Sequence, residues 1–232
     1  ASVSSSTASS LAPDALRLNA TTKPFFRSSA MSLNFRDLLM VKGQYNPKQP
    51  LPLIPCSDGV GWVERVGPGV SESWIGKRVC PVFAQQWLSG PFQRSYLGST
   101  LGGPLQGTLR DWMCCPVEAV VEPPEHLSDA EAACLPCAGV TAFRALIELG
   151  ELHSEQTVLI QGTGGVSLFA LQIAKTAGAT VVITSSRDER LEIACGMGAD
   201  FGINYRKDPE WGRTAKQWTG GIGFDHIVEV GG

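Results

Sequence analysis

The sequence has little charge, few histidines and no long hydrophobic run. Charged residues make up 18% of the 232 residues, and the net charge is -3 with the three histidines counted as neutral. The basic residues are scattered and form no stripe that would neutralise a phosphate backbone, so we expect no nucleic acid partner. No apolar stretch reaches the roughly 20 residues that a membrane-spanning helix requires, so we expect no membrane partner. With 43% hydrophobic residues, the chain predicts one or two packed domains.

The cysteines form no recognisable disulfide or metal framework. There are seven of them, at positions 56, 80, 114, 115, 134, 137 and 195, in a chain large enough to build a core without crosslinks. We therefore expect reduced thiols and a cytoplasmic location. Cys134 and Cys137 have a Cys-x-x-Cys spacing, but no second pair accompanies them, which favours packing over metal or redox chemistry.

The N-terminal end has a composition unlike the rest of the chain. Residues 1–10 are almost wholly Ser, Ala and Thr, and residues 1–30 are predicted to be a disordered or atypical segment. The stretch through Arg17, Lys23 and Arg27 is rich in Ser and contains a single acid, Asp14. This is typical of organelle transit peptides, so a mitochondrial location stays open as the alternative.

Two different patterns of predicted secondary structure indicate two further domains, over residues 31–150 and 151–232. Residues 51–121 read as short extended segments separated by Gly and Pro turns, which is typical of an all-β domain. Ser128 and Glu131 have capping-box spacing for a helix that should stop near Pro136, and a second helix should end at Gly150. Beyond it, predicted strands at 157–161, 181–184, 201–204 and 226–230 alternate with helices, which indicates a parallel sheet covered by helices.

The strongest local pattern is the run VLIQGTGGVS at residues 158–167, an apolar strand followed by glycines that open a helix. Gly162 permits a tight turn, Gly164 lets a diphosphate approach the backbone, and the helix directs free N–H groups toward the anion. We therefore predict that a dinucleotide binds at Gly162, Thr163, Gly164, Gly165 and Val166. An ordinary strand-to-helix turn is the alternative, which the strand before and the helix and strand after make less favourable.

The end of the second strand of the sheet predicts which dinucleotide binds. An NAD site places Asp or Glu there, but this chain has Ser185 and Ser186, followed by Arg187 and Arg190. Hydroxyl and guanidinium groups suit the 2′-phosphate of NADP(H). In the alternative, Ser186 caps the next helix with Glu189 while both arginines are only solvated.

Five stretches together resemble a known family: SLNFRD at 32–37, GKRV at 76–79, LPCAGVTA at 135–142, the glycine turn, and INYR at 203–206. Over residues 31–232 the chain resembles a zinc-independent, quinone oxidoreductase-like medium-chain dehydrogenase/reductase. The resemblance implies an α/β protein with a GroES-like, partly open β-barrel domain and a Rossmann-type parallel sheet. The sequence contains four of the six strands of that sheet, which predicts a truncated chain or a sheet that a partner completes, for example in a homodimer.

The resemblance also implies roles for individual residues. Asn34, the candidate catalytic residue, and Thr141 correspond to positions near the nicotinamide, and Arg190 and Tyr205 to positions near the adenosine phosphate. For Asn34, a hydrogen bond to its own loop backbone is an equally good alternative. Zinc-dependent relatives have Cys and a His-Glu pair where this chain has Asn34 and Ser57-Asp58, so no catalytic zinc is expected.

These observations predict an NADP(H)-dependent oxidoreductase that acts on a small molecule. It would transfer hydride to a quinone, an enone or enoyl compound, or a carbonyl compound, without zinc. Two alternatives stay open: a catalytically inactive nucleotide-binding or interaction protein, and a zinc-dependent alcohol dehydrogenase.

Overall fold

The structure is a computed structural model that describes residues 23–231, none of whose helices is long and apolar enough to cross a bilayer. The predicted disordered tail over residues 1–10 lies outside the described residues, as does most of the stretch that resembles a transit peptide. The chain divides into two compact units, the first ending at Pro136 and the second beginning at Cys137.

The first unit is built on a five-stranded antiparallel sheet with the strand order β4-β1-β2-β3-β5. Its strands are β1 (Pro24–Ser32), β2 (Asp58–Val66), β3 (Arg78–Pro81), β4 (Trp112–Cys114) and β5 (Val120–Val121), and its helices are α1 (Phe35–Val41) and α2 (Asp129–Ala132). One face of the sheet packs around Phe26, Val63, Val79 and Met113, each of which is at most 1% exposed. The predicted β-rich, GroES-like architecture is confirmed.

Strand β1 corrects the expectation that residues 24–30 are disordered or atypical. The strand lies between β2 and β4 and pairs with both of them in antiparallel register. The strand is hard to recognise in the sequence because only Pro24 and Phe26 are buried, while the later positions are partly or fully exposed and include serines. A strand with one short buried end gives little of the apolar alternation by which strands are recognised.

The second unit has a four-stranded parallel sheet, as predicted. Its strands are β6 (Thr157–Gln161), β7 (Thr180–Ser185), β8 (Phe201–Asn204) and β9 (His226–Val228), in the order β8-β7-β6-β9. Val158, Ile160, Val181 and Ile183 face one core cluster, and Leu159, Val182 and Ile203 face the other. Helices α4 (Gly165–Thr176), α5 (Asp188–Gly196) and α6 (Trp211–Trp218) contribute to these clusters, so both faces of the sheet are covered.

The strand order reverses direction at β6. Strands β7 and β8 follow on one side of it, and β9 pairs with its other side. In open parallel sheets such a reversal leaves a crevice at the carboxyl ends of the strands, where ligands bind. The glycine run follows β6 directly and therefore lies at this point of the sheet.

The helical segment between the two sheets consists of one short helix before Pro136 and a longer stretch with π turns that includes it. The capping box at Ser128 is confirmed, since the Glu131 N–H donates to Ser128 Oγ at 3.3 Å and the Ser128 N–H donates to Glu131 Oε2 at 2.8 Å. The helix that Ser128 caps ends at Ala132, shortly before Pro136 as predicted, and a new π-helical turn at Leu135–Gly139 leads into α3 (Val140–Phe143) and a second π turn at Arg144–Glu148. A proline in the first turn of a helix loses no intrahelical hydrogen bond.

The domain boundary lies within this segment, earlier than the boundary between residues 150 and 151 that the sequence predicts. Ala142 and Leu146 are at most 1% exposed and pack in the same core cluster as β6 and α4. Their burial makes the stretch after Pro136 part of the second unit, which begins at Cys137.

Candidate dinucleotide-binding site

The turn from β6 to α4 has a backbone conformation that only glycine adopts without strain. Gly162 has a φ of +91°, in the region that L side chains rarely occupy. Its N–H donates to Thr184 Oγ1 at 3.2 Å, which ties the turn to the end of β7. The chain then reverses within three residues, and Gly164 precedes α4 as its N-cap.

The amides at the start of α4 are accessible. The first N–H groups of a helix have no acceptor within the helix, and α4 has no side-chain cap hydrogen bond. Gly164 and Gly165 are exposed, and a Cβ built on Gly164 would meet no heavy atom within 4 Å. These features match a diphosphate site, since a helix N-terminus provides N–H donors and a positive dipole end to an anion in open space.

The remaining glycine and the first serine of α4 pack the helix onto its surroundings. A Cβ on Gly165 would lie 3.4 Å from the Ala138 Cβ, which is ordinary van der Waals contact, so the helix packs against Ala138 at this point. Thr141 lies three residues beyond Ala138 on the same helical segment and is exposed. Ser167 is 2% exposed, and its Oγ donates to the Gln161 carbonyl at 3.4 Å. Ser167 therefore packs the helix against the strand.

Three of the predicted cofactor-binding residues meet at the carboxyl ends of β6, β7 and β8. Thr163 Oγ1 and Ser185 Oγ are 3.0 Å apart and share a hydrogen bond. The Tyr205 N–H donates to the Ser185 carbonyl at 3.1 Å, and the Tyr205 side chain is 42% exposed. The second strand thus ends in hydroxyl groups next to the glycine turn.

Arg187 and Arg190 follow at the start of α5. Both are exposed, and within residues 23–231 neither forms an ion pair. The alternative role for Ser186 is wrong, because the N-cap of α5 is Arg187 and the helix has no side-chain cap hydrogen bond. The chain runs extended for one residue past Ser186 before the helix begins, so the serine stands one position too early to cap it.

Asp188, in the first turn of α5, is a carboxylate near the predicted cofactor-binding residues that the sequence does not identify as part of the site. Its Oδ2 accepts a hydrogen bond from Lys207 Nζ, and its Oδ1 accepts one from Asn204 Nδ2 at 2.7 Å. The hydrogen bond from Lys207 and then that from Asn204 lower the pKa of Asp188. No sequence pattern links these residues, because the contact depends on the pairing of β7 with β8.

Asn34 lies in the first unit, where it precedes α1 as its N-cap. Its N–H donates to Asp37 Oδ2 at 2.8 Å, and its Nδ2 donates to Ser57 Oγ at 3.4 Å. Ser57 Oγ in turn donates to Asp58 Oδ1 at 2.9 Å. These contacts support the structural role of Asn34, and its role toward a ligand stays a prediction.

The side chains around Asn34 are deeply buried. Ser57, Asp58 and Asp37 are at most 5% exposed, and burial raises the pKa of Asp37. Burial, together with the charges of Asp37 and Asp58, raises the pKa of the neighbouring Cys56 thiol to about 11. Cys56 is therefore a thiol at neutral pH. Among the described residues, no three His, Cys, Asp or Glu side chains are grouped so as to hold a metal ion.

Two family models match the chain. The alcohol dehydrogenase GroES-like domain model matches residues 25–125, and the zinc-binding dehydrogenase model matches residues 165–232. A zinc-type alcohol dehydrogenase-like protein of Schizosaccharomyces pombe is 44% identical over 88% of this chain and 59% of its own length.

Solved structures show the same similarity. The chain superimposes on a putative alcohol dehydrogenase from Sinorhizobium meliloti with a TM-score of 0.83 and 42% identity, over 91% of this chain and 62% of that one. A putative NADPH:quinone reductase from Bacillus thuringiensis gives a TM-score of 0.74 and 26% identity, over 91% of this chain and 58% of that one. The chain thus spans about three fifths of the length of these relatives.

A methyl group on Gly164 should separate cofactor binding from folding. In Gly164→Ala the new Cβ enters open space at a φ of -84°, which L residues adopt, so the stability loss should stay below about 1 kcal/mol. The same methyl group would obstruct the approach of a diphosphate to the free N–H groups of the first turn. The NADPH dissociation constant, measured by fluorescence titration, should therefore rise about tenfold or more.

The matched control is Gly212→Ala in α6, where a Cβ also meets no atom within 4 Å. This variant should bind NADPH like the wild type. If Gly164→Ala retains full NADPH affinity, the turn does not receive the diphosphate.

Proposed function

The chain belongs to the medium-chain dehydrogenase/reductase superfamily, and from this premise we propose that it is an NADP(H)-dependent oxidoreductase. It transfers hydride to a quinone, an enone or enoyl compound, or a carbonyl compound, and it does so without zinc. The observation that carries the proposal is the open, uncapped N-terminus of α4 at the carboxyl end of β6. The chain spans about three fifths of its relatives' length, so the activity of those full-length proteins is a proposal for this chain.

The residues of the turn fit a dinucleotide diphosphate. The N–H groups of Gly164, Gly165 and Val166 lie in the N-cap and first turn of α4, where a helix offers free donors and the equivalent of about half a positive charge. Thr163, whose hydroxyl bonds to Ser185, shapes the neighbouring wall. Thr141, exposed on α3, is assigned to the nicotinamide end by the family resemblance.

The end of β7 supports NADP(H) as the cofactor. Ser185 and Ser186 offer hydroxyl groups, and Arg187 and Arg190 offer guanidinium groups that have no carboxylate partner among the described residues. Arginine binds phosphate through paired, charge-assisted N–H donors, so these side chains favour a 2′-phosphate over a free ribose hydroxyl. Tyr205, beside Ser185, adds a partly exposed ring to the same edge.

The first unit supports chemistry without a metal. According to the family resemblance, zinc-dependent relatives have their zinc ligands at the positions of Asn34, Ser57 and Asp58. In this chain Asn34 is hydrogen-bonded to Ser57, and Ser57 to Asp58. A bound NADPH would supply the hydride. The protein's own contribution is then to position the reactants, exclude water and stabilise developing charge with hydrogen-bond donors. Asn34 is the candidate residue for orienting the substrate.

Loss of both guanidinium groups should weaken NADPH binding and spare NADH binding. In the double variant Arg187→Ala/Arg190→Ala, the NADPH dissociation constant should rise about 5- to 30-fold, since charge-assisted bonds to phosphate are partly screened at an exposed site. Calorimetric titration with each coenzyme measures both affinities. Arg213→Ala, an exposed arginine of α6, is the control and should change neither. Equal NADH and NADPH affinity in the wild type would contradict the assignment.

The names of several relatives favour a second candidate, a zinc-dependent alcohol dehydrogenase. That enzyme would contain about one catalytic zinc ion per chain. We expect the purified protein to contain no zinc above background and to oxidise NADPH with a quinone, an enone or an aldehyde in the presence of a chelator. Elemental analysis and a spectrophotometric screen measure the two quantities. Stoichiometric zinc would support the alcohol dehydrogenase, and NADPH binding without oxidation of any acceptor would support an inactive nucleotide-binding protein.

A further inference from the structure

The first turn of α5 contains two acidic residues, Asp188 and Glu189, whose charges would oppose a phosphate bound at the end of β7. Asp188 is the first residue of the helix and lies between Arg187 and Arg190 in the sequence. In NAD-dependent sites, a carboxylate near the end of the second strand repels a 2′-phosphate. A turn that selects NADPH therefore requires this charge to be compensated.

Two residues from the end of β8 provide that compensation. Lys207 Nζ donates to Asp188 Oδ2, and Asn204 Nδ2 donates to Asp188 Oδ1 at 2.7 Å. Each carboxylate oxygen thus has its own donor, and one of the donors is a cation. The pair raises the pKa of Lys207 and lowers that of Asp188, as mutual stabilisation of opposite charges requires.

The backbone fixes both donors in place. Strand pairing sets Asn204 opposite Ser185, two residues before Arg187. Asn204 Oδ1 accepts the Arg206 N–H at 3.0 Å, so the carboxamide must direct its Nδ2 toward Asp188. The Lys207 N–H donates to the Asn204 carbonyl at 3.0 Å, which closes the turn that brings the ammonium group to Asp188.

We propose that Lys207 is a specificity-determining residue that favours NADPH over NADH by neutralising Asp188, without itself contacting the 2′-phosphate. The inference rests on the proposed function, since it concerns how the same turn selects its cofactor. With Lys207 in place, the charge of Asp188 is compensated and no longer offsets the positive charges of Arg187 and Arg190. Removing Lys207 leaves the charge of Asp188 uncompensated in the first turn of α5, one residue after Arg187, where it would repel a phosphate bound at the end of β7.

The test is a double-mutant cycle on the full chain with NADPH and NADH as titrants. Lys207→Ala should raise the NADPH dissociation constant about three- to fivefold, as expected for a solvent-exposed charge, and leave that of NADH within about twofold. Asp188→Asn in the Lys207→Ala background should restore NADPH affinity to within about twofold of the wild type, because the carboxylate with which Lys207 pairs is then absent. Adenosine 2′,5′-bisphosphate and adenosine 5′-monophosphate, which differ only in the 2′-phosphate, should reproduce the contrast.

Lys216→Ala in α6 removes the same charge at a more distant exposed position and should change no affinity. Several results would overturn the inference while leaving the proposed function intact: an unchanged NADPH affinity in Lys207→Ala, a parallel loss of NADH affinity, or no rescue by Asp188→Asn. The last of these would indicate that Lys207 binds the phosphate directly. If the wild type binds neither coenzyme, the proposed function fails, and this inference fails with it.

Discussion

The reversal of the chain between β6 and α4 is the constraint on which the chemistry of the second unit depends. Gly162 adopts a positive φ, and its N–H is held by Thr184 at the end of the neighbouring strand. The helix can then begin immediately, with its first amides exposed and no side chain over them. Because the strand order reverses at β6, those amides face the crevice of the sheet. Any bulkier turn would move the helix end away from this point.

The helix end attracts an anion but does not choose between dinucleotides, since NAD and NADP share the same diphosphate. Under the proposed function, selection depends on the end of β7, which has serines, two arginines without an ion pair in residues 23–231, and a carboxylate that is itself paired. The balance is electrostatic and exposed to solvent, so each contact contributes modestly and salt weakens it. Specificity of this kind comes from the sum of several charges, including that of Lys207 in the turn after β8, which the sequence alone does not connect to the cofactor.

The sequence predicts the parallel sheet and its glycine turn well, because apolar strands interrupted by glycine and followed by helical periodicity carry a strong local signal. It fails where local signals are weak or misleading. Strand β1 gives no clear pattern because its buried positions are confined to one end. The Asp188–Lys207 pair joins the first residue of α5 to the turn after β8, and only strand pairing brings them together. For Asn34, the observed contacts are those of a helix N-cap, and the catalytic role that the resemblance implies stays a prediction beside them.

The most direct measurement of the central claim is a two-dimensional NMR titration of the isotope-labelled chain with NADPH. Amides that receive the diphosphate change their electronic surroundings most on binding. The account predicts that the largest shift changes occur at the N–H resonances of Gly164, Gly165 and Val166. Saturating NADPH that leaves these three resonances in place would contradict it.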